Sequence, residues 1–192
     1  MINKNSRTTV LILLSGGIDS SALVKYHISQ GYQVEAVFFD YGQRNCKQEF
    51  ISASKISDYY NIKLHVKKIG FNLYDNNGEY YCRNGIFILT ACSFLSIPPT
   101  LICIGIHSGS PYYDTSPSFI KDTQAILDGY FGGITRLIAP FLNYSKSQVY
   151  KYAIDNQIPF KLTYSCELGE YEPCGYCPSC IDRRLLNESA HG

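Results

Sequence analysis

Val10-Leu11-Ile12-Leu13-Leu14-Ser15-Gly16-Gly17-Ile18-Asp19-Ser20-Ser21-Ala22-Leu23-Val24 is the stretch on which the fold turns. Val10–Leu14 is a continuous apolar run, the pattern of a strand covered on both faces in a parallel sheet. Ser20–Gln30 follows with helical spacing, placing Leu23, Val24, His27 and Ile28 on one face, and Gly31 stands where that helix should stop. Strand, glycine loop and helix in this order form an anion site. The two glycines permit a tight turn with N–H groups facing a ligand, and the helix start adds the positive end of its dipole. Ser15, Ser20 and Ser21 add hydroxyl donors. Asp19 is out of place beside phosphate unless it holds Mg²⁺ or caps the helix. No lysine follows the glycines, so this is not a Walker-type loop. A plain Gly-Gly turn with a Ser or Asp cap is the competing reading of so short a motif.

Outward from this loop the alternation continues. Val34–Phe39 reads as a second strand, and Lys47–Tyr60 as a helix burying Phe50, Ala53, Ile56 and Tyr60. Lys63–Ile69 alternates, with Leu64 and Val66 inward and Lys63, His65 and Lys67 outward, and its lysines would blunt a sheet edge. Ile86–Ile97 reads as a buried helix, Leu101–Ile106 as a central strand, Ser116–Tyr130 as a helix and Arg136–Ala139 as a short strand. Ser145 and Gln148 form an S-x-x-Q capping box ahead of Val149, Tyr152 and Ala153. Such alternation predicts an α/β fold, a doubly wound parallel sheet with helices on both faces.

Composition narrows the function classes. In 192 residues, 17 Lys plus Arg balance 16 Asp plus Glu, a net charge of +1, which lacks the basic excess that drives phosphate-backbone binding, so no nucleic-acid partner is expected. The hydrophobic share of 45% is too high for a disordered chain. No window is long and apolar enough for a membrane span, and the polar start shows no signal peptide, which predicts a cytoplasmic domain.

Eight cysteines are many for that compartment. Cys46, Cys82, Cys92 and Cys103 are scattered and read as buried or bystander thiols. Cys166, Cys174, Cys177 and Cys180 crowd together with Pro173, Gly175 and Pro178, residues suited to chain reversal around an ion. Disulfides are disfavoured by compartment, and a redox C-x-x-C would leave two cysteines unexplained. An iron–sulfur cluster remains open. A closed, structural Zn²⁺ site is the favoured reading. The expected organisation is residues 1–163 as a nucleotide-binding α/β domain and residues 164–192 as a zinc module packed on it.

Ser15-Gly16-Gly17-Ile18-Asp19-Ser20 resembles the pyrophosphate-binding loop of the PP-loop ATP pyrophosphatases, a fold similar to the adenine nucleotide α-hydrolases. With the cysteine module it resembles one family of that group closely, the 7-cyano-7-deazaguanine synthases of queuosine biosynthesis. Asp40-Tyr41-Gly42-Gln43-Arg44 matches the family's D-Y-G-Q-R, and Arg83-Asn84 its R-N-T-I-F-L segment. Ile104-Gly105-Ile106-His107 through Asp114, then Pro117-Ser118-Phe119-Ile120, are similar to its I-G-V-(N/H)…D…P-E-F-I stretch. Leu162-Thr163-Tyr164-Ser165-Cys166, Pro173 to Cys180 and Arg183 match its ending. The resemblance implies ATP, Mg²⁺ and Zn²⁺ as cofactors, a 7-deazaguanine and ammonia as substrates, and a homodimer. It implies nucleotide binding by Leu14, Ser15, Gly16, Gly17, Ile18, Asp19, Ser20, Ser21, Phe39 and Asp40. Asp19, Ser20 and Arg44 are the implied catalytic residues, with Gln43, Arg44, Arg83, Asn84, His107 and Asp114 at the substrate.

The chain departs from the family pattern in the loops expected at the substrate. The segment between Ile69 and Arg83 is short, Gly85 stands where the family has Thr, and Thr115-Ser116 where Cys-Arg is usual. These departures leave room for a relative of antiphage systems that joins a deazaguanine to a protein acceptor through an amide. A PP-loop tRNA sulfurtransferase and a non-catalytic zinc-ribbon module are further alternatives.

Overall fold

The computed structural model describes residues 8–76, 79–95 and 99–191. Its centre is a five-stranded, all-parallel sheet in the order β3-β2-β1-β6-β7, formed by Thr9–Leu13 (β1), Gln33–Asp40 (β2), Lys63–Lys68 (β3), Leu101–Cys103 (β6) and Arg136–Ile138 (β7). Asp75–Asn76 (β4) and Glu79–Tyr80 (β5) make a small antiparallel pair apart from it. The helices are Ile18–Ser29 (α1), Cys46–Tyr60 (α2), Arg83–Ser93 (α3), Pro117–Phe131 (α4), Lys146–Asp155 (α5) and Pro178–His191 (α6).

Successive side chains of a strand face opposite ways, and β1 uses both faces. Val10, Ile12 and Leu14 pack with Leu23 and Val24 of α1, Ile56 of α2 and Val149 and Ala153 of α5. Leu11 and Leu13 pack with Ile88 and Ala91 of α3 and with Phe119 and Leu127 of α4. The doubly wound expectation holds. From β3 the chain crosses over β1 to β6, so the topological switch lies between the carboxyl ends of β1 and β6, where open α/β sheets bind ligands.

Local expectations fare unevenly. Ser145 and Gln148 form the reciprocal capping box, and Ser116 caps α4 ahead of Pro117. β3 is an edge strand carrying its lysines, and β6 is central. Val66, however, is 50% exposed, on the edge strand β3. Phe50 is 39% exposed and meets the Phe38 ring at a tilt instead of being enclosed. The predicted strand Leu101–Ile106 ends at Cys103, freeing Ile104 and Gly105 to line a cleft. The helix predicted over Ile86–Ile97 starts earlier and ends at Ser93; Ser96 and Ile97 lie outside the described residues. Among the described residues no helix is long and apolar enough to cross a membrane.

Candidate functional site

The loop after β1 is held from behind. Gly16 takes φ +84, and a Cβ there would lie 2.7 Å from the Glu49 carbonyl oxygen and 2.9 Å from Ala53 N, so the loop lies directly on α2. Helix α1 starts at Ile18 with Gly17 as its cap and no side-chain cap. Neither a serine nor Asp19 fills that position, which corrects the capping alternative. The serines brace the turn: Ser21 Oγ donates to Gly17 O at 2.7 Å, Ser20 Oγ donates to the same oxygen at 3.2 Å, and Ser15 Oγ lies 3.1 Å from Ser20 Oγ. The start of α1 carries no side-chain cap, and Gly17, Asp19 and Ser20 line the cleft.

A cavity of about 380 Å³ opens at the switch point. Its apolar lining comes from Leu13, Leu14, Val37, Phe38, Phe39 and Ile104. Tyr41, Gln43, Glu49, Arg83, Asn84 and Phe87 line it as well. Phe87 stacks on Phe39 with centroids 4.7 Å apart and meets Tyr41 at 5.1 Å. The Arg83 guanidinium lies over the Tyr80 ring. A second cavity of about 180 Å³ lies beside the first and shares Ser15, Gly17, Asp19, Glu49 and Ser179 with it. Lys146, Tyr150, Ser165 and Arg183 line it further out.

Asp19 sits between these spaces. Burial raises its carboxyl above the usual range, and the charges of His107 and Lys146 oppose that rise. His107 Nε2 is 4.0 Å from Asp19 Oδ2, while its Nδ1 lies 2.7 Å from Ser108 O. Gln43 is buried. Its Nε2 donates to Phe39 O and Glu49 Oε2, and its Oε1 accepts from Tyr41 N–H, so one amide shapes the whole D-Y-G-Q turn. Asp114 supports Asn84, whose N–H donates to the Asp114 carboxylate at 3.3 Å and whose Nδ2 donates to Asp114 O at 3.0 Å.

The structure therefore brings Leu14, Ser15, Gly17, Asp19, Ser20, Phe39, Gln43, Arg83 and Asn84 to one cleft, with Ile18 at the adjoining one. Gly16 and Ser21 hold the loop from behind. Asp40 accepts from Gly42 N–H and lines neither cavity. Arg44 is exposed and also lines neither; its backbone instead packs on Gly169. Sequence reasoning passed over Tyr41, Glu49, Phe87, Lys146 and Ser179. An acidic residue in the first turn of a helix just after D-Y-G-Q-R was the available signal for Glu49.

The four Sγ atoms of Cys166, Cys174, Cys177 and Cys180 lie within 4.8 Å of one another. Thiolates about 2.3 Å from a tetrahedral Zn²⁺ stand roughly 3.8 Å apart, and Cys174 Sγ to Cys180 Sγ is 3.9 Å. Backbone N–H groups of Cys174 and Cys177 point at Cys166 Sγ and Cys174 Sγ. Burial opposes ionisation of Cys166, yet backbone N–H groups of Cys174 and Leu168 bring its thiol down to about 6. This donor set could hold a metal. The tail grips the loop as well: Tyr164 N–H donates to Gly16 O at 3.0 Å, and Asn45 Nδ2 donates to Cys166 O at 3.2 Å. Arg183 donates to Phe160 O, Thr163 O and Ser165 Oγ, tying α6 to the segment that reaches Gly16.

Comparison with known proteins places these features. The family model for queuosine biosynthesis protein QueC matches residues 9–79 and 80–189. The 7-cyano-7-deazaguanine synthase of Acetivibrio thermocellus is 32% identical over 200 residues, covering 90% of each chain. That of Aquifex aeolicus is 30% identical, covering 91% of this chain and 94% of its own. Among solved structures, the predicted subunit of a tRNA methyltransferase from Methanocaldococcus jannaschii superposes with TM-score 0.56 at 16% identity, over 77% of this chain and 74% of that one. A 4-thiouridine synthetase in complex with RNA and bound ATP superposes with TM-score 0.52 at 16% identity, over 94% of this chain and 50% of that one. These two likenesses show a shared fold.

Proposed function

We infer that this chain, which belongs to the family of queuosine biosynthesis protein QueC, uses ATP to activate the carboxylate of 7-carboxy-7-deazaguanine and converts it with ammonia to 7-cyano-7-deazaguanine. The observation that carries this reading is the phosphate loop at the sheet's switch point, opening into the same cleft as the Gln43, Arg83 and Asn84 side chains.

A carboxylate is a poor electrophile, and adenylation turns its oxygen into a good leaving group. The carboxylate attacks the α-phosphorus of ATP and pyrophosphate departs onto the Ser15–Ser20 loop, where N–H groups and the α1 dipole receive its charge. Ammonia displaces AMP to give the amide. A second adenylation, on the amide oxygen, permits loss of AMP and two protons to leave the nitrile. Arg83 supplies a fork of donors for a carboxylate, and the flat Phe39, Phe87 and Tyr41 rings suit a planar heterocycle. Mg²⁺, held by Asp19, would neutralise charge developing on the phosphates. Zn²⁺ on Cys166, Cys174, Cys177 and Cys180 would be structural, since four thiolates close its shell. Residues 164–192 would then form a metal-dependent clamp on the nucleotide loop.

Mass spectrometry of the reaction with ATP, Mg²⁺, 7-carboxy-7-deazaguanine and ammonium tests the assignment. The expected product is the nitrile. Adenylate or amide as the end point would instead support transfer to a protein acceptor, and intact ATP would refute the enzymatic reading.

A further inference from the structure

Glu49 takes no part in the chemistry described so far. It stands in the first turn of α2, and it is one of five residues shared by the two cavities beside the phosphate loop. Oε2 accepts from Gln43 Nε2 at 3.0 Å and Oε1 accepts from Asn45 Nδ2 at 3.1 Å. A carboxylate has about four acceptor sites, so each oxygen keeps capacity for a further donor. Among the described residues no Lys, Arg or His lies within ion-pair distance of it; Arg83 acts on it only across the cleft. Asp19, by contrast, has His107 Nε2 at 4.0 Å.

An anion-binding loop and an unneutralised carboxylate sharing one cleft repel each other's ligands unless a cation stands between them. The divalent ion of the proposed reaction is assigned to Asp19, and the groups fixing Glu49 are two neutral amides that bring no charge of their own. The cation that the reaction itself consumes is ammonium. At neutral pH nearly all ammonia in solution is protonated and has no lone pair with which to attack. A proton acceptor beside the activated carboxylate is therefore a chemical requirement of the function proposed above, on which this inference rests.

We propose that Glu49 binds the ammonium ion in this cleft and takes its proton, releasing ammonia against the acyl-adenylate. The proton moves from nitrogen to a Glu49 oxygen. The freed lone pair forms the C–N bond, the C–O bond to AMP breaks with its electron pair going to the phosphate, and a second proton leaves nitrogen with the departing AMP. Glu49 then returns its proton to water. Gln43 and Asn45 keep the carboxylate aimed. Burial lifts the Glu49 carboxyl above the ordinary range, toward the pH at which it must accept and release a proton.

The Glu49→Gln variant separates the steps, because adenylation needs no ammonia. The expected result is carboxylate-dependent ATP–pyrophosphate exchange within about threefold of wild type, with ammonium-dependent amide formation down roughly a hundredfold or more. Hydroxylamine, unprotonated at neutral pH, should form the hydroxamate at close to the wild-type rate. Parallel loss of exchange and amide formation would overturn the proposal in favour of a loop brace, and so would undiminished amide formation. Should that variant not fold, Glu49→Asp keeps the charge but withdraws it, and is expected to raise the KM for ammonium with exchange retained; an unchanged KM overturns the proposal. Absence of exchange in the wild type would refute the function itself instead.

Discussion

His27 shows how a single buried group sets a pH dependence unrelated to the site. It lies on α1 with Nε2 3.2 Å from Cys103 Sγ, and its Nδ1 has no hydrogen-bond partner among the described residues. Burial pulls its ring down from 6.5 to about 4. Between those values the unfolded chain binds a proton that the folded chain refuses, so this residue's contribution to stability falls as pH drops through that window. Its slope approaches about 1.4 kcal/mol per pH unit. Urea unfolding of wild type and His27→Leu should show a stability difference that is flat above pH 6.5 and shifts toward the variant below it. A difference that does not move with pH contradicts this. Placement at the cleft was legible where a motif announced it: Ser15, Asp19, Gln43 and Arg83 were all marked by short patterns, and all line it. Glu49 and Lys146 were not, because a charged residue on an amphipathic helix reads the same whether it faces water or a cavity.

At the scale of elements, the tail beyond Leu162 is the part whose purpose emerges only in three dimensions. Its cysteines were readable from spacing, but helix α6 was not foreseen, since its apolar residues are sparse and it is held by polar contacts to α5. Lys146 pairs with Asp182, and the Tyr150 hydroxyl meets Asn187. Gly169 packs so closely on the Arg44 backbone that a Cβ would lie 2.6 Å from its carbonyl oxygen, at a φ of +74. Tyr164 reaches Gly16 through the backbone hydrogen bond already described. Metal withdrawal should therefore act at a distance: a thiol-competent chelator, or Cys174→Ser, is expected to lower the melting temperature and weaken ATP binding together. Structural zinc stabilises small domains by on the order of 10 kcal/mol, and part of that would be felt at the loop. ATP affinity unchanged after metal loss would separate the tail from the nucleotide site. Val66 illustrates the opposite case, where a local pattern was clear and the position on the edge strand β3 overrode it.

For the whole molecule, the alternation of apolar runs with helical stretches was enough to indicate a doubly wound sheet, because a parallel strand must be covered on both faces and β1 carries no polar residue after Thr9. Strand order was not legible, and it is strand order that places the switch point, and with it the cleft, between β1 and β6. In the proposed function this cleft uses ATP to remove the oxygens of a carboxylate. The most direct test is to supply 7-carboxy-7-deazaguanine labelled with ¹⁸O in both carboxylate oxygens and follow the label by mass spectrometry. Each nitrile formed is expected to be matched by two AMP molecules carrying one ¹⁸O apiece, with pyrophosphate unlabelled. Label appearing in water, in phosphate or in pyrophosphate, or remaining on an unconverted carboxylate while ATP is consumed, would contradict it.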